Sequence, residues 1–144
     1  MNMAAAPSGE LGITQIRQIA INVYDTERAV VFYRDVLGLK LLFSAGNLAF
    51  FDCGGVRLML SPPSTPEFDH PSSILYFKVD DIHSAYARLL QHKVKTEDEP
   101  HVVAKMPDHV LWLTEFRDSE NNVLGLMSEV PHANSAQATT KSAR

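Results

Sequence analysis

The sequence predicts an α+β fold in which two tandem β-α-β-β-β modules form a curled, mostly antiparallel, eight-stranded sheet around a cleft. The first observation behind this prediction is that the order strand, helix, strand, strand, strand occurs twice along the 144 residues. The second is that strands and helices do not alternate regularly, which disfavours a doubly wound parallel sheet. The third is a fixed offset between the halves, since Asp81 follows Asp25 by 56 positions.

The first module begins with an apolar, β-branched segment at 16–23 that predicts a strand. Asp25 follows as a candidate N-cap, and a helix is predicted from there to Gly38, which stands where a C-cap glycine is expected. The apolar residues at helical spacing are Ala29, Phe32, Tyr33, Val36 and Leu37. Three further strands are predicted at 39–43, 48–52 and 56–60. The pair Gly54 and Gly55 predicts a tight turn between the last two strands.

The second module repeats this order, starting with a predicted strand at 74–79. Asp81 is the candidate N-cap of a helix with an apolar face formed by Ile82, Ala85, Tyr86 and Leu89. Three more strands are predicted at 102–105, 110–116 and 123–128. The last two are joined by a turn in which Asn121 or Asn122 can adopt positive φ.

The composition is that of an ordinary globular chain, with 45% apolar residues, 21% charged residues and a formal net charge of −4. This mild, dispersed negative charge argues against nucleic acid as a partner. No apolar run approaches the ~20 residues of a membrane helix. We expect a cytoplasmic protein, because no secretory signal precedes the first strand. A single domain is expected at 12–131, made of modules 12–63 and 72–131, with flexible tails at 1–11 and 132–144.

The segments FYRDVLGL at 32–39 and FRDSENNVL at 116–124 resemble motifs of the vicinal oxygen chelate superfamily. That superfamily contains glyoxalase I, bleomycin-resistance proteins and extradiol dioxygenases. The resemblance covers nearly all of 13–130. It implies the repeated β-α-β-β-β module, a homodimer and a sheet curved around a cavity. It also implies that metal-binding members hold a divalent ion through side chains from four strand positions.

The resemblance maps the four ligand positions onto two modules of this chain. They are Gln18, Leu58 (or Met59), Ile74 (or Ser73) and Gly125. The repeat gives the same placement, with an offset of 56 from Gln18 to Ile74 and of 67 from Leu58 to Gly125. Only Gln18 has a side chain of the usual ligand chemistry, so we expect neither the family's metal nor another cofactor.

Two histidines leave a divalent metal open as an alternative. His101 or His109 could join Gln18 at a rebuilt site, because both fall near predicted strands of the second module. Each histidine also fits a strand-end residue that is hydrogen-bonded to the backbone, and for His109 that role is favoured. The spacing of eight positions between the two histidines matches no local zinc motif.

Strand alternation selects the residues that we expect to line the cleft and contact a ligand. They are Gln18, Asn22, Phe51, Leu58, His101, Trp112, Thr114 and Phe116. Trp112 either stacks on a planar ligand or packs in the core. Arg57 falls on the opposite face from Leu58, and a shift of one residue would make it an anion contact in the cleft.

No catalytic residue can be assigned from the sequence. Cys53 is the single cysteine, and no neighbouring His or Lys is present to activate it, so a structural role is expected. The chain has no Gly-x-Ser-x-Gly nucleophile motif and no phosphate-binding glycine loop. Glu99, Glu115 and His101 are the candidates for proton transfer in the second module.

Together these features favour a homodimeric protein, similar to the glyoxalase, bleomycin-resistance and dioxygenase group, that binds a small, largely apolar organic ligand in the cleft without a metal. The alternative is a divalent-metal-dependent lyase or dioxygenase of the glyoxalase type, so enzymatic activity is left open. A third possibility is a non-catalytic interaction subunit that associates through its repeat and its tails.

Overall fold

The strand and helix order of the first module recurs in the second in the computed structural model, which describes residues 9–132. The first module consists of β1 (Gln18–Asn22), α1 (Thr26–Val31), β2 (Lys40–Ala45), β3 (Leu48–Cys53) and β4 (Val56–Ser61). The second consists of β5 (Leu75–Lys78), α2 (Ile82–Gln91), β6 (His101–Lys105), β7 (His109–Arg117) and β8 (Val123–Pro131). The chain divides into two compact units between Asp69 and His70. Most of the predicted tails, 1–8 and 133–144, lies outside the described residues.

The strands of the described part form two four-stranded sheets, in the orders β1-β4-β3-β2 (sheet 1) and β5-β8-β7-β6 (sheet 2). In each sheet the first strand of the module runs parallel to the last strand. The remaining two pairings are antiparallel in both sheets. The predicted α+β class, with its mostly antiparallel strands, is confirmed.

Both helices begin at the predicted aspartates. The carboxylate oxygen Oδ1 of Asp25 accepts a hydrogen bond from the Arg28 backbone N–H, and Asp81 does the same for Ser84, each at 3.1 Å. Helix α1 continues as a π-helical turn over Phe32–Val36, and Gly38 follows at a φ of +75°. None of the described helices is long and apolar enough to cross a membrane.

One face of each sheet packs against the helix of its own module and forms the core. In sheet 1 the buried residues of this face are Ile21, Ala49, Phe51, Leu58 and Leu60. In sheet 2 they are Val110, Trp112, Thr114, Phe116, Leu124, Leu126 and Ser128. The ring of Tyr33 lies 6.0 Å from that of Phe51, and the ring of His83 on α2 lies 5.0 Å from that of Trp112.

The opposite face of each sheet points away from its helix, and we call it the far face. Because side chains alternate along a strand and paired residues share a face, the register defines its members. The far face of sheet 1 carries Gln18, Ala20, Asn22, Lys40, Phe43, Phe50, Asp52, Arg57 and Met59. The far face of sheet 2 carries Tyr76, Lys78, His101, Leu111, Leu113, Glu115, Gly125 and Met127.

A β-bulge interrupts the regular alternation in the second strand of each module. In β2 the register shifts between Leu41 and Phe43, so that Leu42 is the extra residue. In β6 the shift lies between Val102 and Ala104. The first bulge has a direct consequence for the far face of sheet 1, because it brings Phe43 opposite Phe50.

Candidate functional site

The residues that were expected to line one cleft lie on two different faces of the sheets. Gln18 and Asn22 lie on the far face of sheet 1, and His101 lies on the far face of sheet 2. The other five belong to the helix-packed faces and are at most 2% exposed: Phe51, Leu58, Trp112, Thr114 and Phe116. Within each sheet the structure therefore does not bring the predicted residues onto one surface. Whether Gln18, Asn22 or His101 contacts a ligand stays a prediction.

Trp112 and Thr114 have contacts that belong to the core. The Trp112 ring meets the His83 ring edge-on, and its buried Nε1 has no hydrogen-bond partner among the described residues. The hydroxyl of Thr114 donates to the backbone carbonyl of Asp98 at 2.7 Å. Thr114 thereby ties the segment before β6 to the middle of β7. Stacking of Trp112 on a ligand would require α2 to move.

The first family ligand position, Gln18, is engaged with an arginine. The side-chain carbonyl of Gln18 accepts a hydrogen bond from Nε of Arg57 at 2.6 Å. Its amide Nε2 lies 3.9 Å from the sulfur of Met59. The oxygen that would bind a divalent cation is therefore held by a cation, and a second positive charge beside it would be repelled.

The fourth position, Gly125, is covered by an aromatic ring. Gly125 pairs with Tyr76 in the β5–β8 ladder, and a Cβ atom added at Gly125 would lie 2.2 Å from Cδ1 of Tyr76. The hydroxyl of Tyr76 donates to Oε2 of Glu115 at 2.7 Å. The ring thus fills the space in which a glutamate side chain at residue 125 would begin.

This contact explains the ionisation behaviour of the tyrosine. The hydrogen bond to the Glu115 carboxylate, together with a smaller effect of burial, raises the pKa of Tyr76 above its ordinary value of 10.0. Tyr76 is 41% exposed, so its hydroxyl and Glu115 form a polar pair at the surface of the far face. Glu115 was a candidate for proton transfer, whereas Tyr76 was missed. Gly125 is the sequence feature that could have indicated Tyr76, because a glycine inside a strand often marks a point where another group approaches the backbone closely.

The sheet register corrects one of the repeat offsets. Gly125 pairs with Tyr76, which lies 56 positions after Ala20, and Ala20 pairs with Met59. The counterpart of Gly125 is therefore Met59, at an offset of 66, and the predicted offset of 67 to Leu58 was wrong. A shift of one residue exchanges the two faces of a strand, which is why Leu58 falls in the core.

The remaining donor chemistry does not reconstitute the family's metal position. Ile74, the third position, has an apolar side chain that is 44% exposed. No group of three or more His, Cys, Asp and Glu residues suited to a metal occurs within 9–132. Gln18 is bound to Arg57 and the space above Gly125 is taken by Tyr76, so the residues present do not fit the metal that the fold family implies.

The two histidines of the alternative site lie far apart on one hairpin. His101 pairs with Leu113, four residues along β7 from His109, which corresponds to about 13 Å at ~3.3 Å per residue. Nδ1 of His101 lies 2.9 Å from the backbone carbonyl of Glu99, which is the backbone role left open for it. Nδ1 of His109 lies 2.7 Å from Oδ1 of Asp108, and this contact lowers the pKa of Asp108. The structure does not bring His101 and His109 together.

Cys53 lies at the end of β3 and is half-buried. Burial raises the pKa of its thiol, and the charge of Asp52 adds to this effect. The reactive thiolate is therefore disfavoured at neutral pH, in agreement with the structural role expected from the sequence.

Residues 15–126 match the sequence-family model of the Glyoxalase/Bleomycin resistance protein/Dioxygenase superfamily. The chain is 28% identical over 127 residues to the uncharacterized protein YraH of Bacillus subtilis (strain 168), covering 76% of this chain and 94% of that protein. It is also 28% identical over 87 residues to the metallothiol transferase FosB of Lysinibacillus sphaericus (strain C3-41), covering 57% of this chain and 62% of FosB.

Solved structures share the fold at low sequence identity. A lactoylglutathione lyase from Agrobacterium tumefaciens has a TM-score of 0.63 and 23% identity, covering 81% of this chain and 94% of the lyase. TnmS3, an antibiotic binding protein from Streptomyces sp. CB03234, also has a TM-score of 0.63 and 23% identity. The match covers 81% of this chain and 97% of TnmS3. With its two β-α-β-β-β modules and a family match that spans most of its length, the chain belongs to the Glyoxalase/Bleomycin resistance protein/Dioxygenase superfamily.

Proposed function

We propose that this chain is a small-molecule-binding member of the superfamily that holds a largely apolar organic ligand on the far face of sheet 1 and does not use the family's divalent metal. The observation that carries the proposal is the Tyr76 ring above Gly125. A side chain at this strand position is what the family resemblance requires for metal binding, and the ring leaves no room for one.

The chemistry of the far face of sheet 1 supports an apolar ligand. Phe43 is 51% exposed, and its ring stacks on that of Phe50 with the centroids 4.5 Å apart. Met59 adds a flexible, polarisable side chain beside Phe50 on the neighbouring strand. Exposed aromatic side chains beside a methionine are typical of surfaces that accommodate apolar molecules.

The named relatives include both binding proteins and enzymes. TnmS3 is described as an antibiotic binding protein, which is the kind of activity proposed for this chain. FosB is named a metallothiol transferase, and another neighbour is a lactoylglutathione lyase. The experiments must therefore distinguish the proposed function from that of a metal-dependent enzyme.

The metal half of the proposal is tested by thermal unfolding in EDTA and in an excess of Mn²⁺, Ni²⁺, Zn²⁺ or Fe²⁺. We expect the same Tm in all conditions, because a ligand stabilises a fold only if it binds the folded state. The double variant Tyr76→Ala/Gly125→Glu is the matched control, since it removes the ring and supplies a carboxylate. A metal retained at one ion per wild-type chain after dialysis would instead support the lyase or dioxygenase alternative.

The ligand half is tested with Nile red, a neutral apolar dye whose emission rises in apolar surroundings. We expect saturable binding that the variant Ala20→Arg abolishes, because Ala20 lies beside Met59 on the far face. Arg34→Ala, at an exposed position of the π-helical turn, is the control that should leave binding unchanged. Binding that survives Ala20→Arg and saturates at the same dye concentration would argue against this face. Trp112 is a poor reporter here because it packs against α2.

The remaining expectations for this function are a homodimer and a cytoplasmic location, and both stay predictions. Sedimentation velocity at several protein concentrations tests the first, and fractionation of the source cells tests the second.

A further inference from the structure

The far face of sheet 1 carries two neighbouring rows of side chains that cross all four of its strands. The apolar row is Phe43, Phe50, Met59 and Ala20. The polar row is Lys40, Asp52, Arg57 and Gln18. A molecule that lies across this face would therefore meet an apolar strip and a charged strip side by side.

Arg57 connects the two rows and is held in a defined position. Its Nε donates to Gln18 Oε1 at 2.6 Å, and its guanidinium carbon lies 5.7 Å from the centroid of the Phe50 ring. The terminal nitrogens Nη1 and Nη2 make none of the hydrogen bonds found in residues 9–132. A guanidinium that is fixed through Nε while both terminal NH2 groups are unused is arranged to bind a carboxylate with two hydrogen bonds.

The stacked phenylalanines provide the apolar half of the site. The rings of Phe43 and Phe50 are inclined by 24° with centroids 4.5 Å apart, which is the offset stacking that aromatic rings prefer. Phe43 reaches this position only because the bulge at Leu42 shifts it onto the face of Phe50. A planar ring of a ligand can extend this stack beside Arg57.

The charges of the face favour an anion. Lys40 and Arg57 are cations, whereas Asp52 is the single carboxylate in the polar row. Asp52 pairs with Arg57 in the strand register, yet the two side chains form no ion pair within the described part of the chain. An aromatic cation would be repelled by the net positive charge, and a neutral molecule would leave the Arg57 donors unused.

We propose that the far face of sheet 1 binds a planar aromatic carboxylate, with the carboxylate on the terminal nitrogens of Arg57 and the ring on Phe43 and Phe50. This inference rests on the proposed function and names the ligand class for the same surface. Gln18 is a positioning residue for Arg57, and not a metal ligand.

Three probes separate the contributions of charge and ring: 2-naphthoate, 2-naphthamide and cyclohexanecarboxylate. Titration of the full chain, followed by amide chemical shifts in NMR spectra, gives the affinity of each. We expect 2-naphthoate to bind about tenfold more tightly than 2-naphthamide, because a charge-assisted hydrogen-bond pair adds about that factor. It should also bind more tightly than cyclohexanecarboxylate, because only the naphthalene ring can stack on Phe43 and Phe50. The shifted amides should belong to sheet 1, above all to β2, β3 and β4, which carry Phe43, Phe50 and Arg57.

Variants then assign the effects to residues. Arg57→Gln should weaken 2-naphthoate about tenfold and leave 2-naphthamide unchanged, whereas Phe50→Leu should weaken both. Arg57→Lys keeps the charge but loses the planar fork, so we expect an intermediate loss. Arg34→Gln, which removes an exposed arginine paired with Asp35, is the matched control. Circular dichroism confirms that each variant is folded, and Arg57→Lys keeps the test valid if Arg57→Gln unfolds.

The proposal is overturned if 2-naphthamide binds as tightly as 2-naphthoate. It is also overturned if neither Arg57→Gln nor Arg57→Lys weakens the binding of 2-naphthoate. If either result is found while Nile red still binds saturably, the proposed binding of an apolar ligand is not affected. A change of oligomeric state on Phe43→Ser, without 2-naphthoate binding, would identify the face as an interface between copies of the chain and also overturn the proposal.

Discussion

The far faces of the two sheets differ in chemistry at positions that the repeat makes equivalent. Where sheet 1 has Ala20 beside Met59, sheet 2 has Tyr76 beside Gly125. Where sheet 1 has the stacked ring of Phe50, sheet 2 has the carboxylate of Glu115. Sheet 1 thus presents a cation beside aromatic rings, whereas sheet 2 presents a phenol hydrogen-bonded to a carboxylate.

The helix-packed sides of the modules are much more alike. Each helix starts at an aspartate cap, and each second strand contains a bulge. Leu58 and Leu60 in β4 have Leu124 and Leu126 as counterparts in β8. The comparison teaches that the repeat maintains the backbone and the core, while the side-chain chemistry of the far faces differs between the modules.

The largest expected change in the free energy of unfolding concerns the turns between β3 and β4 and between β7 and β8. The two turns join equivalent strands but are stabilised in different ways. Between β3 and β4, Gly54 and Gly55 adopt φ of +59° and +90°. Between β7 and β8, the Asp118 carboxylate accepts from the backbone N–H groups of Glu120 and Asn122, each at 2.8 Å. Asp118→Ala would leave two N–H groups without this acceptor, so we expect a loss of about 2–4 kcal/mol in the free energy of unfolding.

Chemical denaturation measures this loss. Asp118→Asn retains one acceptor oxygen and should lose less, and Gly54→Ala in the other turn should cost about 1 kcal/mol from backbone strain. If Asp118→Ala is no more harmful than Gly54→Ala, the side chain is not what holds the second turn.

A smaller effect is expected where the far faces differ most. Gly125→Ala should destabilise the chain by about 1–3 kcal/mol, because its Cβ overlaps the Tyr76 ring. In a Tyr76→Ala background the same substitution should be nearly neutral. A double-mutant cycle by thermal or urea unfolding measures the coupling. Equal costs in the two backgrounds would mean that the ring does not occupy this space.

The smallest effect is a tyrosine titration with no counterpart at the equivalent position of sheet 1, since Ala20 stands where sheet 2 has Tyr76. The hydrogen bond to Glu115 raises the pKa of Tyr76 above 10.0 in the folded chain. The folded state therefore holds this proton more tightly, and the stabilisation is complete below pH ~10 and lost as the pH rises through the raised pKa. Absorbance at 295 nm should show a late-titrating component that Glu115→Gln moves toward 10.0 and Tyr76→Phe removes. Identical titration curves for the wild type and Glu115→Gln would contradict this.

Features governed by local chemistry were predictable from the sequence. The caps at Asp25 and Asp81, the positive φ of Gly38 and that of Asn121 each depend on a few neighbouring residues, and the structure confirms all four. The order of the strands along the chain followed from hydrophobic patterning for the same reason.

The candidate site was less predictable, because it depends on how separate strands pair. Alternation states that Trp112, Thr114 and Phe116 share a face, but it does not state which face meets the helix. The hydrogen bond between Gln18 and Arg57 depends on the parallel register of β1 with β4. No local pattern reports such a register.

The bulges at Leu42 and Val103 also bear on how the chain behaves at high concentration. Leu42 lies in β2 and Val103 in β6, and each of these strands is at an edge of its sheet. Both residues expose more than two-fifths of their surface. A flat edge strand with exposed apolar side chains is a template for strand addition and aggregation. An extra residue breaks the even spacing of hydrogen-bonding groups along such an edge. The same irregularity that places Phe43 on the far face therefore makes β2 a poorer template for the addition of another strand.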